Sequence, residues 1–183
     1  AESAALARRK LSAAEPADGD AEYNYVMAGI FPAEDLRILP YNRVVRDLNG
    51  LGEDDLFAEL RRNFVVSETE DSEPSERGEF AMYFEGKWYR LRFVGNAADA
   101  GGPIERLDVS ILQTYVLEPI LGIDDPRTNE RISFVGGSRG VAELERLVDE
   151  GEARIAFLMH PTTMDDVFEI SDAGEIMPAE ASR

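Results

Sequence analysis

One histidine stands in this chain of 183 residues, and it stands where chemistry is easiest to build. His160 follows the apolar run IAFLM (residues 155–159) and precedes Pro161. The C-terminal end of a buried strand is where α/β proteins hold their ligands. Imidazole is also the side chain whose ordinary titration falls near neutrality. His160 is therefore the candidate acid–base group. The competing reading is a polar residue at a strand end, fixed in place by Pro161. Neither Ser nor Cys lies beside it in the sequence to act as a nucleophile.

Three further places hold residue types suited to binding. Gly136 and Gly137 open the turn GGSRG between an apolar run and a helical pattern. Backbone N–H groups at such a helix start hold phosphates, and Arg139 adds charge. The turn lacks the spacing of a dinucleotide fingerprint or a Walker loop, so a plain strand-to-helix turn fits as well. Asn42 and Arg43 follow Pro40 directly after the extended run LRIL. A guanidinium held there clamps a carboxylate or phosphate bidentately, or else makes an internal ion pair in an acidic chain. Thr162 precedes Thr163, Asp165 and Asp166 at the start of the last helical pattern. The residues read as a capping box with Thr162 as N-cap and Asp165 three positions on. The alternative is metal ligation by the paired carboxylates, and Thr162 also stands among the ligand-binding candidates. No metal site is expected, because one His, no Cys and paired carboxylates do not make a recognisable ligand set.

The elements that must position these residues lie mostly in residues 131–178. ISFV, then a stripe of Val141, Leu144, Leu147 and Val148, then IAFLM read as strand, helix and strand. That is a βαβ crossover, followed by one more helix. Upstream, residues 79–94 pair FAMYF with KWYRLRF as a hairpin across Glu85 and Gly86. Residues 107–121 form the most apolar helix, with Pro119 kinking it or shifting its register. Residues 53–63 form a helix with an acidic first turn, leading into a strand at 64–66. Residues 2–13 are helical in composition, 23–31 (YNYVMAGIF) a strand, and 42–48 (NRVVRDL) a turn and helical start. Loops are expected at 16–20 and 96–102, and a flexible acidic loop at 67–77. The sum is a mixed α/β (α+β) domain over residues 1–183: a mixed sheet with a β-hairpin and a C-terminal βαβα unit, helices packed on the sheet.

Composition limits the partners. There are 37 acidic and 19 basic residues, a net charge of −18. Such a field repels phosphate backbones and anionic membranes, so neither nucleic acid nor a membrane is an expected partner. Arg90 and Arg92 amid Trp88, Tyr89, Leu91 and Phe93 resemble a single-strand platform, but a half-buried strand with solvated arginines explains them better. No apolar run approaches the roughly 20 residues of a membrane span. A cytoplasmic protein is the default, and a homo-oligomer is compatible with everything above.

Five blocks, LRILPYNRVV, FAMYFEGKWYRL, LDVSILQTYVLEPILGI, RISFVGG and ARIAFLMHPTTMDDVFEISDAGEIMP, together resemble one family. It is the uncharacterised conserved bacterial and archaeal family labelled SerB-cotranscribed protein. The resemblance implies an Asp-Gly-His-His-Arg box just ahead of Ala1, and therefore a C-terminal piece of a longer protein, cut as a trypsin-like protease would cut. That box looks like those of ParB/sulfiredoxin-like domains, which bind nucleotide phosphates and some of which phosphorylate free serine. For the intact protein the resemblance therefore implies a nucleotide-dependent small-molecule kinase, using ATP or ADP with Mg. Two departures stand out. Asn42 occupies the place of the family's usual His, while Arg43 matches, and residues 179–183 depart from the family's continuation. The other reading is non-catalytic: packing, dimerisation or regulation, with the helix at 107–121 offering the apolar surface.

Overall fold

The computed structural model describes residues 2–13, 21–95 and 101–178. The loops expected at 16–20 and over most of 96–102, and the divergent residues 179–183, lie outside the described residues. The chain divides into two compact units, Ala1–Leu36 and Arg37–Arg183.

The first unit contains α1 (Glu2–Ser12) and two single 3₁₀ turns, Glu22–Asn24 and Ala33–Asp35. Arg8 Nε donates to Asn24 Oδ1 at 3.2 Å. The strand expected at 23–31 does not form. A strand needs a neighbour to take its N–H and C=O groups, and no neighbour pairs with this segment among the described residues. Its β-favouring side chains stay outside: Met27 and Ile30 are almost fully exposed.

The second unit is built on a six-stranded sheet in the order β2-β4-β3-β6-β1-β5. The strands are β1 (Tyr41–Val45), β2 (Phe64–Thr69), β3 (Glu79–Phe84), β4 (Lys87–Phe93), β5 (Ile132–Gly136) and β6 (Ile155–Met159). Every neighbouring pair is antiparallel. The β5–helix–β6 crossover forms as read, and its strands point the same way. They are not neighbours, however. β1 lies between them, antiparallel to both. That insertion corrects the reading of 42–48 as a turn and helical start. Val44 and Val45 are β-branched and buried on opposite faces, which is what a central strand requires.

Both faces of the sheet are covered, so β3 and β6 are buried along their whole length. On the larger face, Phe80, Met82, Ile155, Phe157 and Met159 meet Leu56 and Leu60 of α2 (Glu53–Leu60). The same cluster takes in Ile111 and Leu112 of α3 (Asp108–Leu112) and Ile170 of α5 (Met164–Asp172). On the smaller face, Ala81, Tyr83, Ala156 and Leu158 meet Leu144 of α4 (Gly140–Asp149). Polar ends close that side: Trp88 Nε1 donates to Glu145 at 2.8 Å and the Tyr83 hydroxyl to Asp149 at 3.0 Å.

Three local signals resolve cleanly. The β3–β4 turn puts both Glu85 (φ 51°) and Gly86 (φ 73°) in the left-handed region, the type I′ geometry that matches strand twist. Arg154 pairs with the Glu85 carboxylate and lies 5.0 Å from the Phe84 ring centroid. Ahead of Pro119, α3 widens into one turn of π-helix, Gln113–Leu117, with Glu118 N–H reaching Gln113 O. Pro119 carries no N–H and crowds the preceding turn, so the register slips by one residue. This helix gives its apolar side chains to the core: Ile111, Leu112, Val116, Leu117 and Leu121 are all buried. None of its large apolar side chains is among the exposed ones.

The last cap shifts by one position. Thr163, not Thr162, is the N-cap of α5, and its partner is Asp166. Thr163 Oγ1 accepts from Asp166 N–H at 3.2 Å, and Thr163 N–H donates to Asp166 Oδ2 at 2.8 Å. With two threonines and two aspartates in tandem, only the chain's path out of Pro161 selects the pair. The segment 67–77 begins inside β2, which runs on to Thr69. Its end is tied down by Ser75, whose hydroxyl donates to Glu79 Oε2 at 2.6 Å. Arg90 and Arg92 both turn towards that carboxylate, at 3.7 and 3.5 Å.

Candidate functional site

The antiparallel arrangement brings the C-terminal ends of β5 and β6 beside the start of β1. A cavity of about 360 Å³ opens there, closed on one side by the first turn of α4. Asn42, Gly137 and His160 all line it, together with Arg37, Gly140 and Glu73. Three of the sequence candidates therefore meet, from three different elements.

Asn42 is the buried polar group of this wall, 1% exposed. Its Oδ1 accepts from Met159 N–H at 3.3 Å, which fixes the amide so that Nδ2 is the free end. That Nδ2 has no hydrogen-bond partner among the described residues. A buried amide donor without an acceptor costs about 1–3 kcal/mol, and such atoms call for an explanation.

Gly137 makes the joint. Its N–H donates to Pro40 O at 2.8 Å. A Cβ placed on it would lie 2.7 Å from Pro40 Cδ and 2.8 Å from Pro40 O. Only glycine lets the strap at residues 37–40 lie against the turn. Gly140 follows at φ 73° and starts α4; its own N–H donates to Gly137 O, and the next N–H groups of the first turn have no partners within the helix. His160 hydrogen-bonds to none of the described residues. What the arrangement can do is hold an anion: N–H groups at a helix start, an amide donor, the imidazole and the Arg37 guanidinium converge. Glu73 opposes them from the loop after β2.

The remaining candidates fall elsewhere. Gly136 ends β5 and does not line the cavity; a Cβ there would have Ser138 Oγ at 4.0 Å as its nearest neighbour. Arg43 is next to Asn42 in sequence but points to the opposite face of the sheet, since successive residues of a strand alternate. It is 2% exposed. Its Nη1 donates to Tyr41 O and lies 3.0 Å from Met159 Sδ, and its guanidinium sits 5.4 Å from the Phe134 ring centroid. Arg43 lines a different cavity, of about 730 Å³, with Gln113 and Arg127. The structure thus does not bring Arg43 and His160 into one cavity. Thr162 lines a third, small cavity with His160, Arg77, Asp108 and Asp166.

The residues missed from the sequence are Arg37 and Asp108. Arg37 lies in an extended run without periodicity, and only the Pro40–Gly137 contact brings it near the turn. Asp108 reads as the acidic first residue of an apolar helix. It is buried, 8% exposed, and its Oδ1 accepts from Gly78 N–H at 2.9 Å. Burial pushes its carboxyl up to about 7, against the pull of the Gly78 N–H and the Arg77 guanidinium. Among the described residues, no cluster of three or more His, Asp or Glu is arranged to hold a metal ion. None of their helices is long and apolar enough to cross a membrane.

Residues 1–110 match the model of the family described as Protein of unknown function (DUF1015), and the chain belongs to that family. Among curated proteins none matches. Solved structures similar to this chain include a free serine kinase in complex with AMP, at 18% identity and a TM-score of 0.47, with 80% of this chain and 52% of that chain covered. A conserved hypothetical protein from Pyrococcus furiosus gives 19% identity and a TM-score of 0.47, covering 80% and 55%. A mutant free serine kinase in complex with ADP gives 16% and 0.43, covering 80% and 53%. The chain spans about half the length of these solved chains.

Proposed function

We propose that the cavity between Asn42, the Gly137–Gly140 turn and His160 holds the phosphate groups of a nucleotide, ATP or ADP. In this reading the intact protein is a nucleotide-dependent small-molecule kinase with free serine as acceptor. The observation that carries the binding step is the unpartnered Asn42 Nδ2 at the wall of a cavity that also receives the start of α4. A phosphate oxygen supplies the acceptor that this donor lacks. The α4 N–H groups and the Arg37 guanidinium then offset charge that a chain of net charge −18 would otherwise repel. Phosphoryl transfer asks the protein mainly for positioning and electrostatic stabilisation, which is what these groups provide. The resemblance of the five sequence blocks to the SerB-cotranscribed family supports the kinase class and the choice of acceptor. Mg would accompany the nucleotide phosphates, as in phosphoryl transfer generally.

The test uses the full-length protein with ATP and with ADP, assaying phosphorylation of free serine. Turnover with at least one nucleotide is expected. Asn42→Leu removes the spare donor at similar volume and is expected to weaken nucleotide binding about tenfold, the value of one hydrogen bond to a charged group. Circular dichroism would establish that the variant is folded. Absence of turnover with both nucleotides would remove the kinase reading. An Asn42→Leu variant that binds ADP as wild type does would remove this pocket from it.

A further inference from the structure

We infer that Asp108 is a positioning residue for His160, reaching the imidazole through the small cavity that the two side chains share. His160 forms a wall between two spaces. In front is the pocket described above; behind is a cavity of about 10 Å³ lined by Arg77, Leu107, Asp108, Pro161, Thr162 and Asp166. That volume has room for about one water, with polar partners on several sides. Asp108 and His160 both line it, and each keeps hydrogen-bonding capacity that no described residue uses. Asp108 gives Oδ1 to Gly78 N–H, and its Oδ2 bonds to no described residue. The imidazole of His160 likewise bonds to none of them.

The other charges around the cavity are already engaged. Arg77 pairs with Asp166, and Asp166 closes the capping box with Thr163. Asp108 feels Arg77 without pairing with it, which leaves it the carboxyl placed to act on His160, directly or through one water. The link runs from the first turn of α3 to the phosphate pocket and orients the imidazole that faces it. An anionic Asp108 favours the protonated imidazole, the form that attracts an anion. The effect on ligand binding rests on the pocket reading; the coupling itself does not.

The chain has a single His, so its imidazole gives one assignable proton resonance. We would follow that resonance in the whole chain from about pH 5 to about pH 9, across the range where imidazole titrates. In Asp108→Asn the midpoint is expected to fall, because a negative neighbour that favours the cation is gone. Asp166→Asn, whose charge Arg77 already offsets, is expected to move it less. An unchanged midpoint in folded Asp108→Asn would overturn the inference, as would a larger shift in Asp166→Asn. If Asp108→Asn does not fold, the carboxyl carbon of Asp108 is followed in wild type and in His160→Gln. Its midpoint is then expected to rise in the variant, and an unmoved midpoint is the contrary result. Adding ADP to the same wild-type sample tests the pocket separately: a silent His160 resonance removes that reading and leaves the Asp108 coupling standing.

Discussion

Gly137→Ala is expected to destabilise the domain by about 1–3 kcal/mol, the usual cost of forcing a methyl into a filled site, and to weaken ADP binding at least as much as Asn42→Leu. The cause is local. The new Cβ would meet Pro40 Cδ at 2.7 Å and Pro40 O at 2.8 Å, and neither is the tip of a flexible side chain. One is a ring locked into the backbone and the other is the carbonyl that accepts the Gly137 N–H. Relief requires the strap at 37–40 to move away, carrying Arg37 from the pocket and tugging at the start of β1, where Asn42 sits. The control is one residue away. Gly136→Ala would meet nothing closer than Ser138 Oγ at 4.0 Å, and the residue's φ of −61° suits any side chain. It is expected to stay within about 0.5 kcal/mol of wild type. Urea unfolding and calorimetric ADP titration of both variants check the pair. Equal behaviour of the two alanines would contradict the geometry proposed for the joint.

Phe157→Ala is expected to cost about 3–5 kcal/mol, a large part of the stability of a domain this size. Phe157 is fully buried in β6, across from Arg43 of β1 on one side and Met82 of β3 on the other. Its ring packs in the larger face of the sheet, between the strands and the helices. Phe168→Ala is the comparison. That side chain is about half exposed, on α5, and its loss is expected to cost less than about 1 kcal/mol. The difference is read from the midpoints of chemical denaturation. Similar midpoints for the two would mean that β6 is not the centre of the core.

Several of these positions are visible in the residues alone, and the reasons for the exceptions are physical. The β3–β4 hairpin, α4 and β6 follow from periodicity and turn chemistry, because each is held together by neighbours close in sequence. β1 is hidden because Asn42 and Arg43 are polar residues in a central strand, a pattern that reads as a turn. Only the tertiary structure shows that both are buried, one on each face. The same alternation separates them, so a reading that treats adjacent residues as one site cannot anticipate two cavities. Residues 23–31 fail in the opposite sense: their propensity is for a strand, but propensity does not supply a partner. The crossover between β5 and β6 is legible as a unit, while the strand inserted between them comes from about 90 residues upstream and leaves no local mark. His160 and Gly137 stand out by type and position. Asp108 does not, since an acid at a helix start has a sufficient explanation in the helix dipole.

The central claim is that the cavity at Asn42, Gly137 and His160 holds nucleotide phosphates. The most direct measurement is an ADP titration of the isotope-labelled chain followed by nuclear magnetic resonance. The amides of Gly137, Gly140 and Val141, the side-chain amide of Asn42 and the imidazole of His160 are predicted to shift together along one saturable curve. Gln113 and Arg127, which line the cavity across the sheet, are predicted to stay still. Shifts confined to that second cavity, or no shifts at millimolar ADP, would contradict the account.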